Sequence, residues 1–301
     1  MSNIAVLIAC LMLGIVLRAS ARLPENAPAT INAFITNVAL PALILVYVHD
    51  AQPKVELLGA VLMPWLLFAC GAALFWALAR TLQFSRGTTG ALMMLGGLGN
   101  TSFVGLPMIE CFYGASYLSI GILIDQLGTY LVLSTLGITI ACLYSESRAS
   151  CREVALRIAT FPPLLAVLAA LALTPLAFPE WVVATLHRLG STLAPLALIS
   201  VGMQLRLGAL ADNKIALAAG LGFKLLLGPA LLMAFYVEMM REQTDAIRVI
   251  VFEAAMAPQI GASIVAIQHR LNPPLVTLMV GIGTVLSFIT LPLWWLFLGS
   301  D

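Results

Sequence analysis

The chain reads Gly96-Gly-Leu-Gly-Asn-Thr-Ser-Phe-Val-Gly-Leu-Pro107 in the middle of an otherwise apolar segment, residues 88–113. An apolar segment of this length predicts a helix that spans a membrane. The glycines, the proline and three consecutive short polar side chains predict that this helix is interrupted near its middle. An interruption leaves free N–H and C=O groups, which a membrane tolerates only where protein, water or a ligand replaces the lost bonds. The stretch therefore predicts a membrane protein with a binding site inside a broken helix.

The composition supports a membrane protein. Hydrophobic residues make up 61% of the 301 residues and charged residues 10%, whereas soluble domains are roughly 45–50% apolar and about 25% charged. A soluble fold of this size could not cover its surface with so few polar groups. The net charge of +1 argues against nucleic acid as a partner, because such binding needs a basic patch. The sequence contains no Ser/His/Asp constellation, P-loop or cofactor motif, so we expect neither an enzyme nor an organic cofactor.

The apolar segments predict an all-α integral membrane protein with ten transmembrane helices, called spans 1–10 below. Their predicted ranges are 3–19, 28–48, 55–80, 88–113, 115–144, 153–177, 181–206, 211–239, 244–269 and 274–299. The longest polar stretch, residues 145–152, predicts a cytoplasmic linker between two five-helix repeats, 1–144 and 153–301. If the N-terminus is outside, ten Lys and Arg residues lie on the cytoplasmic side and four lie outside, as the positive-inside rule requires. Both termini are then expected outside.

Five spans in each half predict two repeats of opposite topology, an arrangement that recurs among transporters. Spans 2 and 7 each carry a mid-span proline, Pro41 and Pro195, in an Ala/Leu setting. Span 9 is interrupted by Met256-Ala-Pro-Gln-Ile-Gly261, at a place matching the interruption of span 4. We expect the broken spans 4 and 9 to cross near the midplane. There, a half-helix start would favour a carboxylate and a half-helix end would favour a cation.

Several residues at the two breaks are candidates for this site. Asn100, Thr101 and Ser102 could contact a substrate oxygen or a cation, or could simply cap the second half of span 4. The matching groups in span 9 are Pro258 and Gln259. The predicted helix-break residues are Gly99, Gly105, Pro107, Pro258 and Gly261.

Three ionisable residues are predicted deep in the membrane. With a rise of about 1.5 Å per residue, Asp125 lies about 15 Å into span 5, Lys224 about 20 Å into span 8 and Glu253 about 14 Å into span 9. Charges at such depth are costly and are functional candidates by default. Asp125, with Thr129 on the same face, and Glu253 are candidates for ion or proton coupling. A structural ion pair of Lys224 with Asp125 or Glu253, or snorkelling of Lys224, is the alternative.

The sequence resembles the auxin efflux carrier family, which includes plant PIN carriers and bacterial permeases for small carboxylates such as malonate and malate. The resemblance covers nearly the whole chain. Plant carriers have a proline where this chain has Gly99, and their long central loop is absent here, so a bacterial-type member is indicated. The motifs that carry the resemblance are Asn100-Thr-Ser-Phe-Val-Gly-Leu-Pro107, Phe112-Tyr-Gly114, Leu40-Pro41, Lys224-Leu-Leu-Leu-Gly-Pro229 and Ala254-Ala-Met-Ala-Pro258-Gln259.

The resemblance implies a five-plus-five inverted repeat in the cell inner membrane. Spans 1, 2, 6 and 7 would form a scaffold that dimerises, and spans 3–5 and 8–10 would form a transport unit that moves elevator-fashion past it. A small organic anion, a mono- or dicarboxylate, would meet Asn100 and the helix ends at the crossing.

A second resemblance concerns coupling. Phe252-Glu253-Ala-Ala-Met256, with Gln259 shortly after, is similar to the sodium site of bacterial bile-acid sodium symporters, which share this fold. The alternative function is therefore sodium-coupled symport of a bile-acid-like amphipathic anion. The sequence leaves sodium coupling, proton coupling and uncoupled transport open. The sodium ligands that this resemblance implies are Asn100, Thr101, Thr129, Glu253 and Gln259.

Overall fold

A computed structural model describes residues 2–20, 22–49, 55–145, 156, 159–205, 213–240 and 244–299. The predicted linker, apart from Ser145, lies outside these residues. The described residues form thirteen helices, with no strand among them. These are α1 (Ser2–Ala19), α2 (Ala27–Tyr47), α3 (Val55–Thr81), α4 (Arg86–Gly97), α5 (Thr101–Phe112), α6 (Ala115–Tyr144), α7 (Pro162–Leu173), α8 (Glu180–Gly190), α9 (Leu193–Gln204), α10 (Lys214–Met240), α11 (Asp245–Ala254), α12 (Ile260–Gln268) and α13 (Pro273–Leu298).

Six helical stretches in the described part of the chain are long and apolar enough to cross a membrane. Three of them are the whole of α2, α6 and α13, and two are most of α3 and most of α10. The sixth is α8 together with α9. α1, α5 and α7 are shorter apolar helices. Span 7 is not one continuous helix, because a turn at Ser191 and Thr192 separates α8 from α9, three residues before Pro195. Spans 4 and 9 are each divided in two, as the glycines and prolines predicted.

Three prolines within the helices follow segments of wider π-helix. The π segments are Ile35–Ala39 before Pro41, Thr101–Gly105 before Pro107, and Phe223–Leu227 before Pro229. Proline lacks the N–H that would bond the preceding turn, and its ring collides with a carbonyl of that turn. Widening the turn relieves this conflict, and such π-bulges are frequent at functional sites. Two of the three segments carry predicted site residues, Thr101 and Lys224.

The helices pack in two sets. α1 lies along α9, and α2 packs on α7 and α8. α3 packs on α4, α6, α10 and α11, while α13 contacts α4, α10, α11 and α12. The α1–α9 contact is close because glycines face each other: a Cβ built on Gly14 would lie 2.1 Å from the carbonyl oxygen of Ile199, and one on Gly202 would lie 2.2 Å from that of Leu11.

Candidate functional site

The two helix breaks cross and bond to each other. The backbone N–H of Asn100 donates to the carbonyl oxygen of Ala257 at 2.7 Å, and that of Gln259 donates to the carbonyl oxygen of Leu98 at 3.1 Å. Gly99 and Pro258 therefore form an isolated antiparallel β-bridge between the two helix interruptions. Pro258 has no N–H to donate, and the bridge uses the N–H groups of the residues that follow its two members, Asn100 after Gly99 and Gln259 after Pro258. The crossing predicted from the sequence is thus present.

Asn100 caps the start of α5, and one polar atom of its side chain has no hydrogen-bond partner among the described residues. Its side-chain Oδ1 accepts a hydrogen bond from the Phe103 N–H at 3.2 Å, which is an N-cap. Its Nδ2 is buried and has no hydrogen-bond partner among the described residues. The capping role and a ligand-binding role therefore fall on different atoms of the same amide. A buried amide donor without a partner is costly, and a carboxylate oxygen would satisfy it.

Asp125 ties α6 to the start of α5. Its carboxylate accepts a hydrogen bond from Thr101 Oγ1 at 2.5 Å and another from Gln126 Nε2 at 2.6 Å. Ser102 is within hydrogen-bonding range of the same carboxylate. Donors thus surround this buried carboxylate, which explains how a negative charge is accommodated at this depth. The structure therefore brings the predicted coupling residue Asp125 next to two of the predicted substrate residues.

Glu253 lies against two glycines near the end of α11. A Cβ built on Gly105 would lie 2.4 Å from Glu253 Oε1 and 2.6 Å from Oε2, and one on Gly121 would lie 3.6 Å from Oε1. The side chain is fully buried, and neither carboxylate oxygen has a hydrogen-bond partner in the described part of the chain. Gly105 was predicted as a helix-break residue, but it lies inside α5, as Pro107 does, and Gly261 lies inside α12. The missing side chain of Gly105 instead provides the space for this carboxylate.

Lys224 reaches the crossing from α10. Its side chain is fully buried, and Nζ donates to the carbonyl oxygen of Ala254 at 2.7 Å. Snorkelling does not match this placement, because the side chain is fully buried. A direct ion pair does not match it either, because neither Asp125 nor Glu253 forms a salt bridge with Lys224. A Cβ on Gly99 would lie 3.1 Å from Nζ, so the ammonium lies directly beside the bridge.

Other predicted site residues surround the same region. Thr129 Oγ1 and Gln259 Oε1 are buried without a hydrogen-bond partner among the described residues, as is Gln126 Oε1. A Cβ on Gly261 would lie 3.8 Å from the Gln259 amide. Sequence reasoning did not identify Gly283 of α13, where a Cβ would lie 2.6 Å from the Pro258 ring. A lone glycine in an apolar helix gave no signal of this contact.

A cavity of about 330 Å³ with polar and apolar walls opens beside the second half of broken span 4. Leu106 and Pro107 of α5 contribute to one wall, and the charged side chains at its edge are Glu110 and Arg188. Tyr47 and His187 also line the cavity, and their rings meet edge to face. No sequence pattern marks these residues, because they come together only where α2, α5 and α8 line the same cavity.

Some oxygens near the crossing already accept or donate a hydrogen bond, and others are free to bind a cation. Hard cations are held by several oxygen ligands at once. The carbonyl oxygens of Leu98, Ala254 and Ala257 already accept hydrogen bonds, as does Asn100 Oδ1. Thr101 Oγ1 donates its hydrogen to Asp125. The fixed ammonium of Lys224 also lies within this region. Within the described ranges, the oxygens of the predicted sodium set that remain without a partner are those of Glu253, Thr129 and Gln259. No group of three or more His, Cys, Asp or Glu side chains in the described part of the chain could hold a metal ion.

Comparison with known proteins gives a family and two relatives. The family profile described as membrane transport protein matches residues 1–295. An uncharacterized transporter from Methanothermobacter thermautotrophicus is 28% identical over 290 residues, covering 94% of this chain and 93% of the relative. An uncharacterized transporter from Methanocaldococcus jannaschii is 22% identical over 286 residues, covering 92% of each chain. Together with the long apolar helices, these matches indicate a multi-pass membrane protein. The chain therefore belongs to the membrane transport protein family, the auxin efflux carrier family that its sequence resembles.

Proposed function

We propose that this protein is a secondary transporter that carries a small organic anion, a mono- or dicarboxylate, across the cell inner membrane. The observation that carries the proposal is the crossing of two broken helices beside the buried, unpartnered Nδ2 of Asn100. Half-helix starts at Thr101 and Ile260 add N–H groups whose partial positive charge favours a carboxylate. Asn100, Thr101, Ser102, Pro258 and Gln259 would contact the anion.

The transporter would have ten spans in two inverted repeats, with both termini outside. The packing supports a division into a scaffold of spans 1, 2, 6 and 7 and a transport unit of spans 3–5 and 8–10: α1 packs on α9, and α2 packs on α7 and α8, whereas α3 packs mainly on α4, α6, α10 and α11. The transport unit would move elevator-fashion past the scaffold, and a homodimer formed through the scaffold would hold that scaffold still.

The cavity beside α5 would be the route by which the anion reaches the crossing. It lies between α5 on one side and α2 and α8 on the other, where the transport unit meets the scaffold. Arg188 at its edge supplies a positive charge that would attract a carboxylate in a partly apolar setting. Glu110 at the same cavity would disfavour anions of high charge, which favours mono- and dicarboxylates over larger polyanions.

The test is uptake of labelled acetate, lactate, malonate and malate into proteoliposomes, under a sodium gradient, a pH gradient or no gradient. A steroid acid in the panel tests the alternative of a bile-acid-like substrate. Asn100→Asp retains the capping oxygen but replaces the free amide donor by an acceptor, so we expect uptake to fall by about tenfold or more. The control is Asn37→Ala, because Asn37 is exposed and bonds only Ala33 of its own helix.

The gradients decide the coupling, and the variant decides the site. Uptake driven by a sodium gradient would assign sodium coupling, uptake driven by a pH gradient would assign proton coupling, and equal uptake in all three would indicate a facilitator. Undiminished uptake by Asn100→Asp would remove Asn100 from the binding site. A complete absence of flux for every anion in the panel would refute this substrate class.

A further inference from the structure

We infer that the Lys224 ammonium is a resident cation of the crossing, which supplies the positive charge beside the bound anion and makes anion binding independent of sodium. The inference rests on the proposed function, because it names the group that balances the charge of the same substrate. The sequence alone gave Lys224 no clear role, since its depth allowed an ion pair, snorkelling or a site.

The first support is the hydrogen bond that the Lys224 ammonium donates. Its Nζ donates to the carbonyl oxygen of Ala254, the last residue of α11, at 2.7 Å. The last carbonyls of a helix lack intrahelical partners and carry the partial negative end of its dipole. In a membrane-spanning half-helix, such a carbonyl needs a replacement donor or a cation. Lys224 provides both in one covalently attached group.

The second support is where the ammonium lies relative to the bridge. A Cβ on Gly99 would come within 3.1 Å of Nζ and 3.5 Å of the Lys224 Cε. The residue that follows Gly99 is Asn100, whose Nδ2 is the unpartnered donor. Because Gly99 has no side chain, the ammonium can approach the backbone of the bridge. The positive charge therefore lies beside the residues proposed to bind the anion.

The third support is the protons that remain on the ammonium. A lysine ammonium has three N–H donors, and one of them bonds Ala254. Lys224 Nζ forms no salt bridge with Asp125 or Glu253. Asp125 already accepts hydrogen bonds from Thr101 and Gln126. The remaining donors are thus not consumed by a buried carboxylate. A substrate carboxylate bound at the crossing could accept one of them.

The fourth support is that the backbone oxygens at the crossing already have donors. The Ala254 carbonyl, an oxygen freed by the helix break, accepts a hydrogen bond from Lys224, and the Leu98 and Ala257 carbonyls accept the hydrogen bonds of the bridge. A dissociable cation would have to share these oxygens with the tethered ammonium. We therefore expect sodium to leave anion affinity unchanged.

The experiment measures the affinity of purified protein for malonate, malate, lactate and acetate by isothermal titration calorimetry in sodium, potassium or choline chloride. For wild type we expect the same affinity in all three salts. Lys224→Met keeps the chain length and removes the charge, and we expect affinity to fall by about tenfold or more in every salt. Lys214→Met is the matched control, because Lys214 begins the same helix and is exposed; its affinity should be unchanged.

A purely structural role for Lys224 predicts a different result. In that case Lys224→Met would lower the melting temperature but leave the affinity of the folded fraction unchanged, and the inference would be overturned. If Lys224→Met does not fold, Gly99→Ala replaces it, since the added methyl group would displace the ammonium from the bridge. A weakened affinity in Gly99→Ala supports the inference, and an unchanged affinity overturns it.

The failure of this inference differs from the failure of the proposed function. Anion binding that requires sodium would leave the transporter proposal standing and refute the resident cation. Binding of no anion in any salt would refute the proposed substrate class, and the inference would fall with it.

Discussion

Replacing Gly105 by alanine tests whether the Glu253 carboxylate lies where the structure places it. The new Cβ would lie 2.4 and 2.6 Å from the two carboxylate oxygens, whereas close C···O contacts are normally about 3.3–3.6 Å. The carboxylate would have to move by about 1 Å. It is fully buried, and Gly121 is next to Oε1, so the displaced group has little space.

The magnitude follows from two opposing terms. Overpacking a buried site costs about 1–3 kcal/mol of unfolding free energy. Replacing glycine by alanine within a helix returns roughly 0.8–1 kcal/mol. The control is Gly222→Ala. A Cβ at Gly222 would contact nothing within 4 Å, so only the stabilisation from replacing glycine by alanine applies there. We therefore expect Gly105→Ala to be less stable than Gly222→Ala by about 1–3 kcal/mol.

The assay is unfolding in detergent micelles by titration with dodecyl sulfate, with the melting temperature as a second readout. A double-mutant cycle then isolates the contact. In a Glu253→Ala background the carboxylate is gone, so Gly105→Ala should behave like Gly222→Ala. If Gly105→Ala is equally destabilising with and without the Glu253 side chain, the collision is elsewhere and the placement of Glu253 is wrong.

Three further predictions follow from contacts described above. Gly202→Ala would place a methyl group 2.2 Å from the Leu11 carbonyl oxygen; because a backbone atom cannot rotate away, we expect a loss of about 2 kcal/mol or more in the same titration. Thr101→Val removes the 2.5 Å hydrogen bond to Asp125 and should cost about 1–3 kcal/mol. This loss should shrink when Asp125 is also changed to alanine, and an unchanged loss would contradict it. Arg188→Gln should raise the KM for anion uptake without changing the melting temperature, and an unaltered KM would remove Arg188 from the entry route.

The sequence predicted the two breaks because the signal is local. Glycine, proline and short polar residues are concentrated between 96 and 107, and again between 256 and 261, and a helix ends in or next to each of these stretches, at Gly97 and at Ala254. Their crossing followed from pairing the two halves of the chain. The hydrogen bonds between Asn100 and Ala257 and between Gln259 and Leu98 show that the two breaks meet.

The partner of Lys224 could not be predicted in the same way. Its depth indicated a costly charge, and the obvious partners in sequence were the carboxylates of Asp125 and Glu253. The structure instead gives it a backbone carbonyl, that of Ala254. Every residue has a carbonyl, so the sequence does not mark which one a distant helix break leaves free.

The cavity that Glu110 and Arg188 line could not be predicted from the sequence, for a related reason. Each residue taken alone reads as a charge near the end of a helix. Its relevance arises only because residues of α2, α5 and α8 line one cavity, and neither periodicity nor motif spacing predicts that arrangement.

The β-bridge between Gly99 and Pro258 has a mechanical consequence. Two backbone hydrogen bonds of 2.7 and 3.1 Å fasten the interruption of one helix to that of the other, and both bonds lie away from bulk water, where breaking them would leave peptide groups without partners. A shift of either helix at its interruption would therefore break these bonds or carry the other helix along. Under the proposed function, an anion held at this junction would travel with both helices, and the sliding surface would lie elsewhere in the protein.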